Sequence, residues 1–408
     1  MEKWAQNGYW VSKYNYDEEM RASLSLPPKV EIHDATLRDG EQTAGVFMSG
    51  DQKVEIAKML DELGVERIEA GMPAVSKADF DAIRQITSMG LKAKVYSFAR
   101  AMKDDIAAAK ECGAHGVVIE LPLSEPKLKW QFAKWDADTV VQRAVESCSY
   151  AKSIGLETVF FGYDTCRADM ALLDRVYSTL AAEAKPDSFG IVDTVGCILP
   201  SAMRALVKKL SKYGMKMEVH THNDFGMGVA TSFAALESGA TVIHTCLNGL
   251  GERAGNAPLE QVMMGLKLLY GYDNEYHLDK IQATCNRISE ITKKPILYNA
   301  PITGRHSFSR ESGIGVEFVK TNPVVMFSID PAIVGNSGVI ILGKGSGAKS
   351  IEAKLSELGI EKELSEEQVR DLLARIKALA IEKQDIVTDE EFLEMLKEYD
   401  NNAAVCTE

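Results

Sequence analysis

The sequence predicts an α/β protein: a (β/α)8 barrel over residues 29–272, followed by a smaller, mainly helical C-terminal subdomain. Two observations carry that expectation. Eight short apolar runs alternate with segments of helical periodicity, at a spacing of about 30 residues, the size of one βα step. Polar residues gather just after the apolar runs, which is where such a barrel carries its chemistry. A doubly wound sheet is the competing architecture, but it needs two sets of crossovers, and nothing in the chain marks a switch point.

Residues 1–28 form an N-terminal extension closed by Pro27-Pro28. Four Tyr or Trp residues crowd into positions 9–16, so the segment is expected to pack on a neighbour. Strands are expected near Val30–His33, Arg67–Ala70, Ala93–Phe98, Gly116–Leu121, Thr158–Phe161, Ser188–Val192, Lys216–His222 and Thr241–Cys246. Helices are expected at Gln52–Leu63, Ser76–Ser88, Lys103–Cys112, Asp138–Ile154, Ala168–Ala184, Leu199–Tyr213, Met227–Ser238 and Pro258–Tyr270. In the first of these, Val54, Ile56, Ala57, Leu60 and Leu63 share one side. Gly64, Gly90, Gly113, Gly155, Gly214 and Gly239 fall just after helices, where a left-handed cap is needed.

After Tyr270 the character changes. Tyr276–Thr292 reads as a helix, and residues 293–347 are rich in Gly, Pro and Ser with little period. The span 273–347 is therefore expected to be a linker or lid subdomain, since residues 293–330 make too long a stretch for an idle connection. Residues 348–408 are expected to be helical, with helices at Ser350–Leu358, Ser365–Glu382 and Thr388–Asp400. Ser365 and Gln368 have the spacing of a capping box, and Asp389 and Glu390 favour the first turn of the last helix. Gly338 to Gly345 has the spacing of a phosphate-binding loop but lacks its final Ser/Thr, and its apolar spacer reads as a strand running into a turn.

The chain has 408 residues, 46% hydrophobic and 26% charged, ordinary values for a globular protein with a large core. Its net charge of −13 argues against sequence-independent nucleic-acid binding, but not against a small anionic substrate met by a local arginine or metal. The 7 cysteines (Cys112, Cys148, Cys166, Cys197, Cys246, Cys285, Cys406) form no C-x-x-C pair and read as reduced thiols of a cytoplasmic protein. The N-terminal residues lack the apolar core of a signal peptide, and no run approaches the ~18 apolar residues of a membrane span, so no membrane association is expected.

The most informative stretch is Val219 to Gly228, V-H-T-H-N-D-F-G-M-G. His220 and His222 close an apolar-alternating strand and point to the same side of it. Two imidazoles facing one way suit a divalent metal, with carboxylates and water filling the remaining positions. The competing reading is a pair of solvated or core histidines; only 7 His occur in the chain, which weighs against an H-x-H pair arising by chance. Other strand ends are equally polar. Asp34 and T-L-R-D-G-E-Q follow strand one, Glu69 ends strand two and Arg100 follows strand three. Tyr163-Asp164, Asp193-Thr194 and N-G-L-G-E-R-A-G-N follow strands five, six and eight.

These stretches are T-L-R-D-G-E-Q (36–42), E-A-G-M-P-A (69–74), D-T-V-G (193–196), H-T-H-N-D-F-G (220–226) and N-G-L-G-E-R-A-G-N (248–256). In that order, from about Lys29 to Gly347, the chain resembles the metal-dependent TIM-barrel acyltransferases of the isopropylmalate, homocitrate and citramalate synthase family. That family is related to hydroxymethylglutaryl-CoA lyase. The chain looks nearest the short homocitrate-synthase type, being too short for the leucine-sensing domain of long isopropylmalate synthases.

The resemblance implies that Asp39, His220 and His222 ligate a divalent cation (Mg²⁺, Mn²⁺ or Zn²⁺), with Asn256 near it. Arg38 would stabilise enolate charge on the acyl thioester, Gln42 and Glu69 would help position substrate, Thr194 would hold the substrate carboxylate, and Arg100 would face the same mouth. For Arg38 and Thr194 the bland alternatives are a salt bridge and a helix cap. The implied reaction is a Claisen-type condensation of an acyl-CoA, acetyl-CoA foremost, with a 2-oxo acid, in a cytoplasmic homodimer of amino-acid biosynthesis.

Three departures bear on the chemistry. The family's E-D-A-[ST]-R after strand five is Tyr163-Asp164-Thr165-Cys166-Arg167 here. Its H-E-[SA]-G-I-H is Arg310-Glu311-Ser312-Gly313-Ile314-Gly315, so Gly315 stands where a catalytic histidine is usual, and its G-K-H-S-G is Gly343-Lys344-Gly345-Ser346-Gly347. Proton transfer is thereby unassigned, with Tyr163 and His306 as replacements, His306 reading equally as a surface residue. A carbon–carbon lyase on the same barrel is the alternative activity. Against it, the strand-eight loop lacks the Gly-Cys form of the hydroxymethylglutaryl-CoA lyases, Cys246 falling inside the strand. A catalytically silent metal- or oxo-acid-binding regulator is the third reading.

Overall fold

In a computed structural model, which describes residues 2–401, the chain divides into two compact units. Tyr14–Ile296 forms one; the described residues up to Lys13 and from Leu297 onward form the other.

Eight parallel strands close the barrel of the first unit: β1 (Glu31–Asp34), β2 (Arg67–Glu69), β3 (Lys94–Arg100), β4 (Gly116–Pro122), β5 (Glu157–Tyr163), β6 (Ser188–Asp193), β7 (Lys216–Thr221) and β8 (Val242–Thr245). β8 pairs with both β7 and β1, which seals the sheet and leaves no edge. The helices alternating with the strands are α1 (Gly50–Leu63), α2 (Lys77–Thr87), α3 (Lys103–Glu111), α4 (Ala137–Ser153), α5 (Met170–Thr179), α6 (Pro200–Leu210), α7 (Gly228–Leu236) and α8 (Leu259–Met264). α1 starts at a capping box between Ser49 and Gln52 and stops at Gly64, whose φ of 92° needs a residue without Cβ. Its Val54, Ile56, Ala57, Leu60 and Leu63 are buried, as the periodicity predicts.

Three expected helices are shorter than their periodic segments. The run ending at Ala184 becomes a π turn from Leu180, the run ending at Tyr213 a 3-10 turn from Ser211, and the run ending at Tyr270 a π turn from Gly265. Apolar period persists through the two π turns because Leu180, Ala184, Leu266 and Leu268 stay buried while the hydrogen-bond register changes; the 3-10 turn Ser211–Tyr213 buries no side chain. α9 (Ile281–Thr292) is preceded by a 3-10 turn, Leu278–Lys280, so Tyr276 and His277 lie outside the expected helix.

The interior of the barrel is not purely apolar. Tyr96, Phe98, Val118, Val159, Phe161 and Val192 form one cluster. Beside it runs a line of buried polar groups. Arg67 donates to Glu218 at 2.7 Å and pairs with Glu31 at 2.8 Å. Ser188 and His244 contact the same Glu218 at 2.6 and 2.9 Å. The ring of His244 stacks on that of His33, 4.2 Å between centroids. Burial would push the Glu218 carboxyl up, but Arg67 and then His244 hold it well below the usual range.

In the other unit, α10 (Ala348–Glu357), α11 (Glu366–Lys383) and α12 (Asp389–Asn401) surround a core of Ile351, Leu355, Leu372, Ile376, Phe392 and Leu396. Ser365 and Gln368 form the expected capping box. Val339–Ile340 is a short strand followed by a turn, not a phosphate cradle.

The compact units cut across the expected partition. The hairpin Ala5–Gln6/Tyr9–Trp10 is hydrogen-bonded to the later segment, Trp10 N to Ser328 O at 2.8 Å and Asp330 N to Gly8 O at 2.6 Å, so backbone pairing splits the N-terminal extension at Lys13. Tyr16 instead donates to Leu268 O at 2.7 Å in the barrel unit. Trp10 and Tyr14 are exposed, so the aromatic lead-in packs only in part. The span 273–347 is divided at Leu297. Cys112, Cys148, Cys166, Cys197, Cys246 and Cys285 are free; Cys406 lies outside the described residues.

The buried charge pairing yields a stability prediction. Arg67→Met strands the Glu218 carboxylate and is expected to lower unfolding free energy by roughly 3–5 kcal/mol, read by urea denaturation. A loss below about 1 kcal/mol would show that His244 and Ser188 satisfy Glu218 alone.

Candidate active site

Asp34, the last residue of β1, accepts from Thr36 N at 2.9 Å and from the Thr245 hydroxyl at 3.1 Å, tying the first strand end to the eighth. The chain then turns tightly, Arg38 N and Gly40 N both donating to Ala35 O, and presents Arg38 and Asp39 side by side. Arg38 Nε donates to Glu69 and Nη1 to Asp39 at 3.0 Å, while the guanidinium lies 4.3 Å from the Phe98 ring centre. The third nitrogen, Nη2, is buried with no hydrogen-bond partner among the described residues. Glu69 is fully buried, and its second oxygen meets His33 Nε2 at 2.9 Å. Burial alone would raise the Glu69 carboxyl; Arg38 and His33 override it and bring it down to about 2. Burial, reinforced by His244, lowers His33 to about 4, so its imidazole is neutral near pH 7.

From β7, His220 and His222 turn the same way, as the i, i+2 spacing requires. Their Nε2 atoms lie 3.4 Å apart and 3.2 and 3.7 Å from Asp39 Oδ2. Three ligand atoms of Asp39, His220 and His222 thus converge within 4.8 Å of one another, all on buried residues. Asn256 bridges to His222 through the backbone and its Nδ2 donates to Leu250 O at 3.0 Å and to Cys246 Sγ at 3.5 Å, while its buried Oδ1 has no partner among the described residues. Two imidazole nitrogens facing each other across a carboxylate, with an orphaned amide oxygen nearby, are an O/N donor set suited to a divalent cation and poorly suited to remaining empty. The residues present fit the metal.

These groups open onto a cavity of about 410 Å³, a size suited to a small substrate. Arg38, Asp39, Gln42, Thr194, His220 and His222 line it. Thr194 Oγ1 accepts from Asp164 N at 2.9 Å, so its own hydrogen is left to donate elsewhere. Tyr163, ending β5, stands in the wall with Lys127 Nζ 4.5 Å from its ring centre. Arg253, at φ 58°, pairs with Asp224 at 2.8 Å and donates to Thr194 O, joining the loops after β6, β7 and β8. A Cβ at Gly251 would strike the Asn256 amide, so the strand-eight loop can approach only as glycine there.

Two expected residues are placed differently from the rest. Glu69 does not line the cavity; both its oxygens are occupied, and it reaches the site only through Arg38. Arg100 is on the rim but is 58% exposed and forked onto Asp105 at 2.7 and 3.0 Å. His306 belongs to the other compact unit, where its ring stacks on Tyr298. There too Glu311 accepts from Gly345 N at 2.6 Å.

The structure adds residues that the sequence reading passed over: Phe98, Glu120, Trp135, Arg143 and Phe161 line the cavity, and His33 supports Glu69. Glu120 had a signal, since a carboxylate interrupts the apolar run V-V-I-E-L-P of β4. The others look like core or surface residues until the barrel closes. His33, Glu218 and His244 form a second group with metal-ligand atoms close together; there Glu69 meets His33 Nε2, Arg67 and Ser188 donate to Glu218 Oε1, and His244 Nε2 meets Glu218 Oε2.

Fold and site together define a (β/α)8 barrel with a divalent-cation donor set at the carboxyl ends of its strands. The chain belongs to the HMGL-like family, whose profile matches residues 29–288; a homocitrate synthase post-HMGL domain-like profile matches residues 302–384. A homocitrate synthase of Methanopyrus kandleri is 42% identical over 383 residues, covering 94% of this chain and 95% of the relative. A 2-isopropylmalate synthase and an (R)-citramalate synthase of Methanocaldococcus jannaschii are each 40% identical, covering 90% and 85% of this chain and 71% and 70% of theirs. Among solved structures, a hydroxymethylglutaryl-CoA lyase of Bacillus subtilis shares the fold, with TM-score 0.60 at 20% identity over 66% of this chain and 96% of that one.

The donor set yields a binding prediction. His222→Ala removes one ligand and is expected to weaken Mn²⁺ binding more than the 10–100-fold typical of losing a supporting residue, measured by titration calorimetry. Unchanged affinity would place the metal elsewhere.

Proposed function

We propose that the protein catalyses a divalent-cation-dependent Claisen condensation, joining an acyl-CoA, acetyl-CoA foremost, to the carbonyl carbon of a 2-oxo acid and releasing free CoA thiol after hydrolysis. The single observation that carries this reading is the pairing of two unspent donors, Arg38 Nη2 and the Thr194 hydroxyl, with the Asp39–His220–His222 donor set around one cavity. The homocitrate, citramalate and isopropylmalate synthases among the relatives support it.

Asp39, His220, His222 and Asn256 would hold the cation (Mg²⁺, Mn²⁺ or Zn²⁺), which when bound supplies a Lewis acid for the oxo-acid carbonyl. Thr194 donates to the substrate carboxylate, and Gln42, whose side chain has no hydrogen-bond partner among the described residues, reaches the same space. Arg38 offers Nη2 to the thioester oxygen as it gains enolate charge. Glu69 acts on Arg38, not on substrate: with Nε and Nη1 pinned, the guanidinium plane is set and only the third nitrogen is free. Tyr163 borders the reacting space, and Arg100 at the rim contributes once it leaves Asp105.

A lyase reading is less well supported. Its likeness is to structures at 20% identity, which speaks for the fold alone, and Cys246 is buried behind Asn256, 3.5 Å from its amide, not in the cavity. The family resemblance extends the proposal to a cytoplasmic homodimer, which light scattering would show as twice the chain mass. No helix among the described residues is long and apolar enough to cross a membrane.

The test is thiol release from acetyl-CoA across a panel of 2-oxo acids with Mg²⁺ or Mn²⁺. At least one oxo acid is expected to yield thiol, with Arg38→Lys lowering kcat by about 10²–10³-fold. No thiol with any oxo acid, but cleavage of a hydroxyacyl-CoA, would move the assignment to a lyase; binding of metal and oxo acid without either reaction would leave a regulator.

A further inference from the structure

We propose that Glu120 is the carboxylate that takes the α-proton from the acyl thioester, an assignment that rests on the condensation reading above. Residues of β4 alternate between faces, and Val118, two before Glu120, belongs to the apolar plug with Phe98 and Phe161. Glu120 therefore stands one layer higher on the inward face, where it lines the cavity with Arg38, Phe98, Phe161 and Tyr163. Its strand neighbours in register are Arg100 on β3 and Phe161 on β5.

The other carboxylates are spent. Asp39 is shared by Arg38 and the two histidines, Glu69 is saturated and sealed from the cavity, and Glu252 pairs with Arg253 at 3.2 Å on the exposed rim. Among the described residues no hydrogen bond or ion pair engages Glu120. A half-buried carboxylate without a partner, set against aromatic rings, costs stability and adds nothing to packing, which is the pattern of a functional group. The charged groups facing it are Arg38 and Asp39 from the loop after β1, Glu69 from β2 and Lys127 from the turn after its own strand. Burial dominates over these and, against the pull of Arg38, brings the carboxyl up to about 7, a range matched to general-base work at neutral pH.

In the step, the thioester's α C–H bond breaks and its proton passes to Glu120. The bonding pair forms the enolate C=C, and the thioester C=O pair moves onto oxygen, where Arg38 Nη2 donates. The enolate oxygen's pair then re-forms the thioester C=O as the C=C pair bonds the α-carbon to the oxo-acid carbonyl carbon, whose π pair goes to its oxygen. That oxygen takes a proton from solvent, and Glu120 returns its own to solvent. Water then cleaves the thioester and frees the thiol.

The experiment compares wild type, Glu120→Gln and Glu120→Asp with Mn²⁺, acetyl-CoA and an oxo acid that supports turnover. It reads thiol release and, separately, exchange of solvent deuterium into the acetyl methyl. Glu120→Gln is expected to lose about 10²–10⁴-fold in both kcat and exchange while the oxo-acid KM and Mn²⁺ affinity hold, and Glu120→Asp to recover part of both. Wild-type exchange in Glu120→Gln, or a change confined to the oxo-acid KM, would overturn the assignment. Should Glu120→Gln not fold, full kcat in Glu120→Asp, whose carboxylate is one methylene short, would overturn it equally. If wild type releases no thiol with any oxo acid, the condensation reading itself has failed and this assignment falls with it.

Discussion

The ion pair between Arg38 and Glu69 is the constraint on which the rest of the site depends. Glu69 ends β2 inside the barrel, and both its oxygens are committed, one to Arg38 and one to His33. Arg38 spends a second nitrogen on Asp39, which faces the two histidines of β7. A guanidinium pinned at two of its three nitrogens cannot rotate, so the third is aimed by the fold rather than by the substrate. Such a buried pair is weak evidence for stability, because desolvation offsets most of its attraction. What it supplies is a fixed geometry at the place where charge must be met.

That pair is also the upper end of a polar line through the barrel. Below Glu69 come His33, the stacked His244, Glu218 and Arg67. Each carboxylate in it has an arginine on one side and an imidazole on the other, so Glu69 and Glu218 are kept apart by two rings. An apolar plug of Phe98, Val118, Phe161 and neighbours stands beside this line and forms the floor and wall of the cavity. Glu120, by contrast with the members of this line, opens to the cavity.

The departure at Tyr163 acquires a meaning from this arrangement. Tyr163 brings a phenol to the end of β5 where an acid is usual, while β4 next to it supplies a carboxylate two residues before its end. A carboxylate thus reaches the cavity from the neighbouring strand. Thr194, Asp164 and Arg253 link the loops after β5, β6 and β8, so the rim proposed to hold the substrate carboxylate is braced from three directions.

Local sequence determined a good deal. Strand and helix order follow from apolar period, and the residues in T-L-R-D-G-E-Q and H-T-H-N-D lie close together because parallel strands of a barrel deliver all their carboxyl ends to one rim. The i, i+2 spacing of His220 and His222 was enough to predict that they face the same way. Period alone did not separate α-helix from π turn at Leu180 and Gly265, since buried side chains continue through both, and the helix at Ser211 gives way to a 3-10 turn that buries no side chain. Nor did it show that the N-terminal hairpin pairs with the segment near Ser328, a contact made by backbone atoms with no side-chain signature. Only closure of the barrel decided that Glu69 engages Arg38 and His33, that Arg100 folds back on Asp105, and that Glu120 has no partner among the described residues. Each of those outcomes depends on which side chains from distant strands meet in low dielectric, and pairing across a barrel is not written in any single stretch of chain.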